Sequence, residues 1–454
     1  MRLKTALRAQ GSCIQKGLRM SRSQSTPRSL VRARRGLVGA VLVALVTAGI
    51  GCAPSSTGDA SSTGSAKEKT ALRVPLYPYI PDAAGDQFKA MTGRIEAEFE
   101  AAHPDVDLVV NPPCFVDDQY DPVALGRGLS GENQECPLEV VEVDTMLLGE
   151  LVATGTIAPW EKLPEGVSFH PAGVAGATYA GETYGVPHWL CAHFVFSRDN
   201  AVQSAANVGD LVKALDALMT PAPNMAGDML GSWNLPSLYL DAWADTYGAD
   251  KVDTAITTTL YDSAVLAGMK AFSATCDDAG ANPCVDGTYH EDANFNLPAE
   301  LFAQQKVDAM FGYSERLHAI TTLGGGAGAA GIKISLAPLG SGNVPILFTD
   351  AFALSKKCTG DCAVAAAAFV EYMSAASTYE WMLASEDAPE ESRAPRYVMS
   401  ASLDAYATPK LSADPYYPII DELTREGKSF PNSNVLGNKD QMKDDILKEL
   451  TSAP

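Results

Sequence analysis

The chain has 454 residues, with 34 Lys or Arg against 55 Asp or Glu, a formal charge of −21 at neutral pH. Such a surface repels nucleic acid and anionic lipid headgroups, so neither is expected as a partner, while it tolerates cationic small molecules. The excess acid also has a plain reading, that it keeps an exported chain dissolved.

Residues 1–51 carry ten Lys or Arg and no acid, and end in the apolar run "GLVGAVLVALVTAGIG" before Cys52. A basic region, an apolar run and small residues before a cysteine follow the logic of a bacterial lipoprotein signal, so Cys52 is the expected lipidation site. Gly49 stands where Leu is usual, which leaves simple secretion as the alternative. The basic region is overlong, which makes Met20 a candidate true start. The run is too short, and its flank too polar, to read as a bilayer span. Membrane contact is therefore expected only through the lipid. Residues 52–70, rich in Ser, Gly and Thr, bury nothing and read as a disordered tether.

In the body, "ALRVPLYPYIP" begins as a strand and ends at Pro78 and Pro81, where backbone donors disappear. "DQFKAMTGRIEAEFEAAHPDV" reads as an amphipathic helix stopped by Pro104, and "VDLVV" as the next strand. Strand "LEVVEVD" leads into helix "TMLLGELVATG", and the apolar "YGVPHWLCAHFVFSR" follows. Helices are expected at "NVGDLVKALDALM" and "LYDSAVLAGMKAFSA", and a helix-to-strand passage near Phe311. "LGGGAGAAG", residues 323–331, lacks the Lys-Ser/Thr ending of a phosphate loop and reads as a mobile connection. "IKISLAPLG" and "ILFTDAFALSK" are later strands, and "CAVAAAAFVEYMSA", "PYYPIIDELTREG" and "NKDQMKDDILKELTSA" are helices. Interleaved strands and helices predict an α/β architecture with largely parallel sheets. An exported, tethered α/β chain of this size fits a two-lobed solute-binding protein with a cleft between its lobes. The expected lobes are residues 71–189 with 319–378, and 190–318 with 379–454.

Of nine cysteines, Cys13 lies in the leader and Cys52 before the tether, which leaves seven in the body. An odd number in an oxidising compartment leaves a thiol over. The simplest pairing closes three local, turn-rich loops: Cys114 with Cys136, Cys276 with Cys284, and Cys358 with Cys362. Other connectivities remain open. Nothing near Cys358 and Cys362 supplies a second ligand pair, so no metal is expected. Under local pairing Cys191 is the free thiol, either inert among Trp189, Leu190 and Phe194 or kept for its chemistry.

Six strings carry a resemblance. They are "LYPYIPD" (Leu76–Asp82), "EVDTMLL" (Glu142–Leu148), "GETYGVPHWLCAHFVF" (Gly181–Phe196), "FGYSERL" (Phe311–Leu317), "PILFTD" (Pro345–Asp350) and "YYPIIDEL" (Tyr416–Leu423). The chain resembles thiaminase I, an enzyme family built on the type II periplasmic binding-protein fold. The combination of Cys191 after Tyr-Gly-Val-Pro with Tyr-Ser-Glu at 313–315 is the specific part. The resemblance implies that Cys191 is a covalent nucleophile and Glu315 its base, since thiolate is the reactive form and a carboxylate can take its proton. It implies that Asp144 and Asp350 hydrogen-bond an aminopyrimidine, and that Tyr77, Tyr79, Tyr313 and, more loosely, Tyr120 line the cleft against a flat cation. Asp144 has a second reading, as a cap on the following helix. Phe348 stands where the family usually has a tyrosine, which keeps a ring and removes a hydroxyl.

The implied reaction is transfer of the pyrimidinylmethyl group of thiamine to an amine, pyridine or thiol, with release of the thiazole. Thiamine is then substrate, no cofactor is required, and a monomer is expected. The competing reading is a thiamine or pyrimidine receptor of an ABC importer. A receptor needs the aromatic and aspartate contacts but neither the thiol nor the base.

Overall fold

The computed structural model describes residues 68–452 except 117–120, 219–222, 232, 258–260, 291–293, 324–329 and 434. The leader, Cys52, Tyr120 and most of the Gly-rich patch lie outside the described residues. Strands β1 (Thr70–Val74) and β2 (Val106–Val110) pair in parallel, Thr70 opposite Val106. The helix between them, Lys89–Ala102, buries Met91, Ile95 and Phe99, one residue per turn, and ends just before Pro104.

Strands β3 (Val140–Asp144), β4 (Ile157–Ala158), β5 (Thr178–Tyr179), β6 (Glu182–Thr183) and β7 (Gly185–Cys191) follow. Then come β8 (Phe194–Ser197), β9 (Met225–Ala226), β10 (Ala309–Gly312) and β11 (Lys333–Leu336). Last are β12 (Ile346–Ser355), β13 (Met399–Ser400) and β14 (Lys428–Ser429). All ten residues of β12 are buried, as its near-continuous apolar sequence requires, and it is the spine of the larger sheet. On one side β12 pairs with β7, and β13 lies beyond; on the other it pairs in turn with β14, β3 and β4. The smaller sheet runs β11, β8, β10, β9.

Most of these pairs are antiparallel, contrary to the parallel sheets expected from the order of elements. Only β1 with β2, β9 with β10 and β12 with β14 are parallel among the described strands. The alternation of strand and helix patterns carries order but not direction, and β12 enters the larger sheet after crossing from the smaller one. Sheet membership also cuts across the expected lobe boundaries. Lys333–Leu336, placed with the first lobe, pairs with β8 of the smaller sheet, whereas β13 and β14, placed with the second, extend the larger one.

The chain crosses between the sheets at Ala192–His193 and again over Ala337–Pro345. The Ala337 N–H donates to the His193 carbonyl at 2.9 Å, so the two crossings run side by side. The helix Asn234–Tyr247 braces them. Its Asp245 accepts the N–H groups of Leu339 (2.7 Å), Gly340 (3.2 Å) and Val344 (2.6 Å).

Disulfides join Cys114 to Cys136, Cys276 to Cys284 and Cys358 to Cys362, with Cα atoms 5.4, 6.0 and 5.1 Å apart. Cys191 is the free cysteine among the described residues, and it is buried. No described helix is long and apolar enough to cross a membrane.

Candidate active site

Strand register assembles the first part of the site. Phe348 lies opposite Cys191, and Asp350, two residues along β12, lies opposite Asp144. Successive side chains alternate between faces, so Cys191, Phe348, Asp350 and Asp144 share one face of the larger sheet. Their end of the ladder is set by Pro187, which has no N–H to donate. There the register slips, so that Trp189 faces Asp350 but Pro187 faces Ala351, with His188 left over. Gly185 is required at the far end of β7, because a Cβ there would sit 2.6 Å from that of Ala351.

The loop after β1 closes over this face. Glu142 accepts the Tyr77 N–H at 2.7 Å through one carboxylate oxygen and meets His188 Nδ1 through the other. Tyr77 is thereby placed to hydrogen-bond the Cys191 sulfur. Tyr79 stacks edge to face on Tyr77, ring centroids 5.4 Å apart, and is 53% exposed at the rim.

Tyr313 and Glu315 come from the other sheet, where β10 ends at Gly312 and the helix Arg316–Leu323 begins. Tyr313 lies 6.1 Å from Phe348, edge to face, and Glu315 is within electrostatic range of Cys191 and Asp350. The structure thus gathers Tyr77, Asp144, Cys191, Tyr313, Glu315, Phe348 and Asp350, and leaves Tyr79 at the edge.

The charges here are unusual. Burial, then the carboxylates of Asp350, Glu315 and Asp144, push the Cys191 thiol well above its ordinary range, and only Tyr77 opposes them. Burial pushes Asp144 up to about 7 against one hydrogen bond from the Met146 N–H, which also makes Asp144 the cap of the turn that follows. Asp350 is raised further by burial and by the facing charges of Asp144, Glu142 and Glu315. Its Oδ1 is buried with no hydrogen-bond partner. Burial also raises Glu315, against Arg316 and His193. The free site therefore holds a buried thiol among carboxyl groups whose neutral forms burial favours, with Arg316 the cation beside Glu315. Such an acidic wall suits a flat cationic ligand with hydrogen-bonding ring atoms. No group of His, Cys, Asp or Glu suited to a metal occurs among the described residues.

Several residues of the site escaped the sequence reading. His188 with Glu142, and His193 with Asp241, are buried polar pairs in apolar strings. Their signal was available, since a histidine in "PHWLCAHF" must find a partner, but the partners lie 46 and 48 residues away.

Two sheets joined by paired crossings, with a polar site where the chain crosses, define the architecture of a solute-binding protein. The chain belongs to the bacterial extracellular solute-binding protein family, whose model matches residues 95–395. It is similar to thiaminase-1 of Paenibacillus thiaminolyticus, 25% identical over 404 residues that take in 86% of this chain and 87% of that one. Among solved structures it shares its fold with Clostridium botulinum thiaminase I in complex with thiamin. The TM-score is 0.65 at 18% identity, over 84% of this chain and all of that one. The GacH receptor of Streptomyces glaucescens matches with a TM-score of 0.61 at 18% identity, over 85% of this chain and 94% of that one.

Proposed function

We propose that the protein is an exported thiamine-cleaving transferase that moves the pyrimidinylmethyl group to a small nucleophilic acceptor and releases the thiazole. The observation that carries this reading is the placing of a free buried thiol, Cys191, beside paired aspartates on one sheet and facing a glutamate from the other. A receptor has no use for that thiol.

Thiamine brings positive charge to a site where carboxyl groups outnumber cations. Asp144 and Asp350 hydrogen-bond the aminopyrimidine, and Tyr77, Tyr313 and Phe348 hold its rings, with Tyr79 at the rim and Tyr120 a further contact that the resemblance implies. The Cys191 proton passes to Glu315 as the sulfur adds to C6 of the pyrimidine. Electrons then leave through the methylene, whose bond to the thiazolium nitrogen breaks and frees a neutral thiazole. The acceptor bonds to the methylene, Cys191 departs to restore the aromatic ring, and its sulfur recovers the proton from Glu315. The reaction as drawn needs no metal or organic cofactor. Cys52 would tether the enzyme to the membrane, and a monomer suffices.

The test is to mix the purified chain with thiamine and pyridine and follow free thiazole alcohol and the pyrimidinylmethyl adduct by mass spectrometry. Cys191→Ser should abolish turnover and Glu315→Gln should lower it by roughly 10²–10⁴-fold, both with thiamine binding retained. Tight thiamine binding without turnover across a panel of acceptors would instead mark a receptor.

A further inference from the structure

His193 stands two residues beyond Cys191, on the crossing between the sheets, and is 6% exposed. Its Nδ1 meets Asp241 Oδ2, from the helix Asn234–Tyr247. Its ring lies flat on Tyr313, centroids 4.6 Å apart, and edge-on to Phe348 at 5.6 Å. Its backbone is held by the Ala337 N–H. Every handle on this imidazole is thus fixed, yet Nε2 is buried without a hydrogen-bond partner. A buried ring nitrogen left bare in the wall of a site calls for a ligand group. The charged and titratable groups near it are Asp241 on the helix and Tyr313 and Glu315 after β10.

Resting on the transfer reaction above, we propose that His193 Nε2, backed by Asp241, takes the proton of a protic acceptor during the second half of the reaction. Charge balance sets the need. Thiamine is a cation and the thiazole leaves neutral, so a pyridine acceptor yields a pyridinium product and no proton is left over. Aniline or water bonds to the methylene through N or O, must lose a proton, and yields a neutral product. Glu315 cannot hold that proton while it keeps the one from Cys191, which the departing sulfur reclaims. With Nδ1–H given to Asp241, Nε2 is an acceptor, and Asp241 stabilises the imidazolium until solvent removes the proton.

The experiment compares pyridine, aniline and water as acceptors for the full chain, His193→Phe and Asp241→Asn. His193→Phe keeps a ring against Tyr313; Asp241→Asn keeps an acceptor for Nδ1–H and removes the charge. Expected for His193→Phe is a loss of about 10²-fold with water, less with aniline, and under about threefold with pyridine. Asp241→Asn should show the same order with smaller losses. Equal losses with all three acceptors, the mark of a packing role, or no loss with any, would overturn the proposal while leaving the transfer reaction standing. A parent chain that cleaves thiamine with none of them would overturn both.

Discussion

At the scale of single residues the site is defined by what its charges forbid. A Cys191 thiol raised by burial and three carboxylates is protonated at neutral pH, so the free protein should be a poor target for alkylation. We expect iodoacetamide to label the Cys191 peptide slowly at pH 7, with the rate climbing only above the range near 8.5 where an ordinary cysteine ionises. Labelling at pH 7 as fast as in an unfolded control would show that no cation is needed to complete the site. Asp350 is the complementary case. Burial and the facing charge of Asp144 favour its neutral form, which can donate to a ring nitrogen. Asp350→Asn keeps a donor and should weaken thiamine binding by less than tenfold. Asp350→Leu keeps bulk, loses the bond and should weaken it by about tenfold or more, as read by calorimetric titration.

At the scale of elements, the helix Asn234–Tyr247 places Ser237, Asp241 and Asp245 four residues apart on one face. They meet Tyr313, His193 and the 339–344 crossing in turn. Asp245→Asn would turn an amide NH₂ toward backbone donors now shared by two oxygens. It should cost about 1–3 kcal/mol in urea unfolding and speed hydrogen exchange at Leu339, Gly340 and Val344. Unchanged exchange there would mean that the crossing does not depend on the helix. This helix also marks how far a sequence can be read. "VDLVV" is β2, and "ILFTDAFALSK" contains β12 from its first residue, because a continuous apolar run has one way to be buried. The brace was not legible, because Asp241 and Asp245 look like polar residues of an ordinary helix until the crossings pack against them. Strand direction was hidden too, as were β13 and β14, two-residue strands that carry no periodic pattern. The site residues came from motif resemblance, and their meeting follows from the register of β7, β3 and β12, which periodicity does not encode.

At the scale of the whole molecule the same buried aspartates bear on stability. Asp144 and Asp245 are both pushed up to about 7, and Asp241 and Asp350 are raised as well, each first by burial. A carboxyl group whose folded pKa is raised binds its proton more tightly in the native state. Its contribution is therefore full below the unfolded value near 3.9 and is lost as pH rises through the folded one. Stability should thus increase on acidification from pH 8 to 6.5, against the habit of proteins whose carboxylates are salt-bridged. His170 and His318 act in the opposite sense. Burial lowers both, so their contribution is present above about 6.5 and fades as pH falls further. Below about 6.5 the two histidines therefore offset part of the gain from the aspartates. Each aspartate near 7 should contribute on the order of 1 kcal/mol between pH 8 and 6.5, a rise in Tm of about 2 °C. Relief of the net charge of −21 would push the same way, and Asp144→Asn separates the two causes. It keeps the acceptor for the Met146 N–H, barely changes the net charge and removes one titration. Scanning calorimetry should then give a visibly flatter curve of Tm against pH for the variant. A curve parallel to that of the parent would assign the effect to surface repulsion and leave the buried carboxyl groups with no part in it.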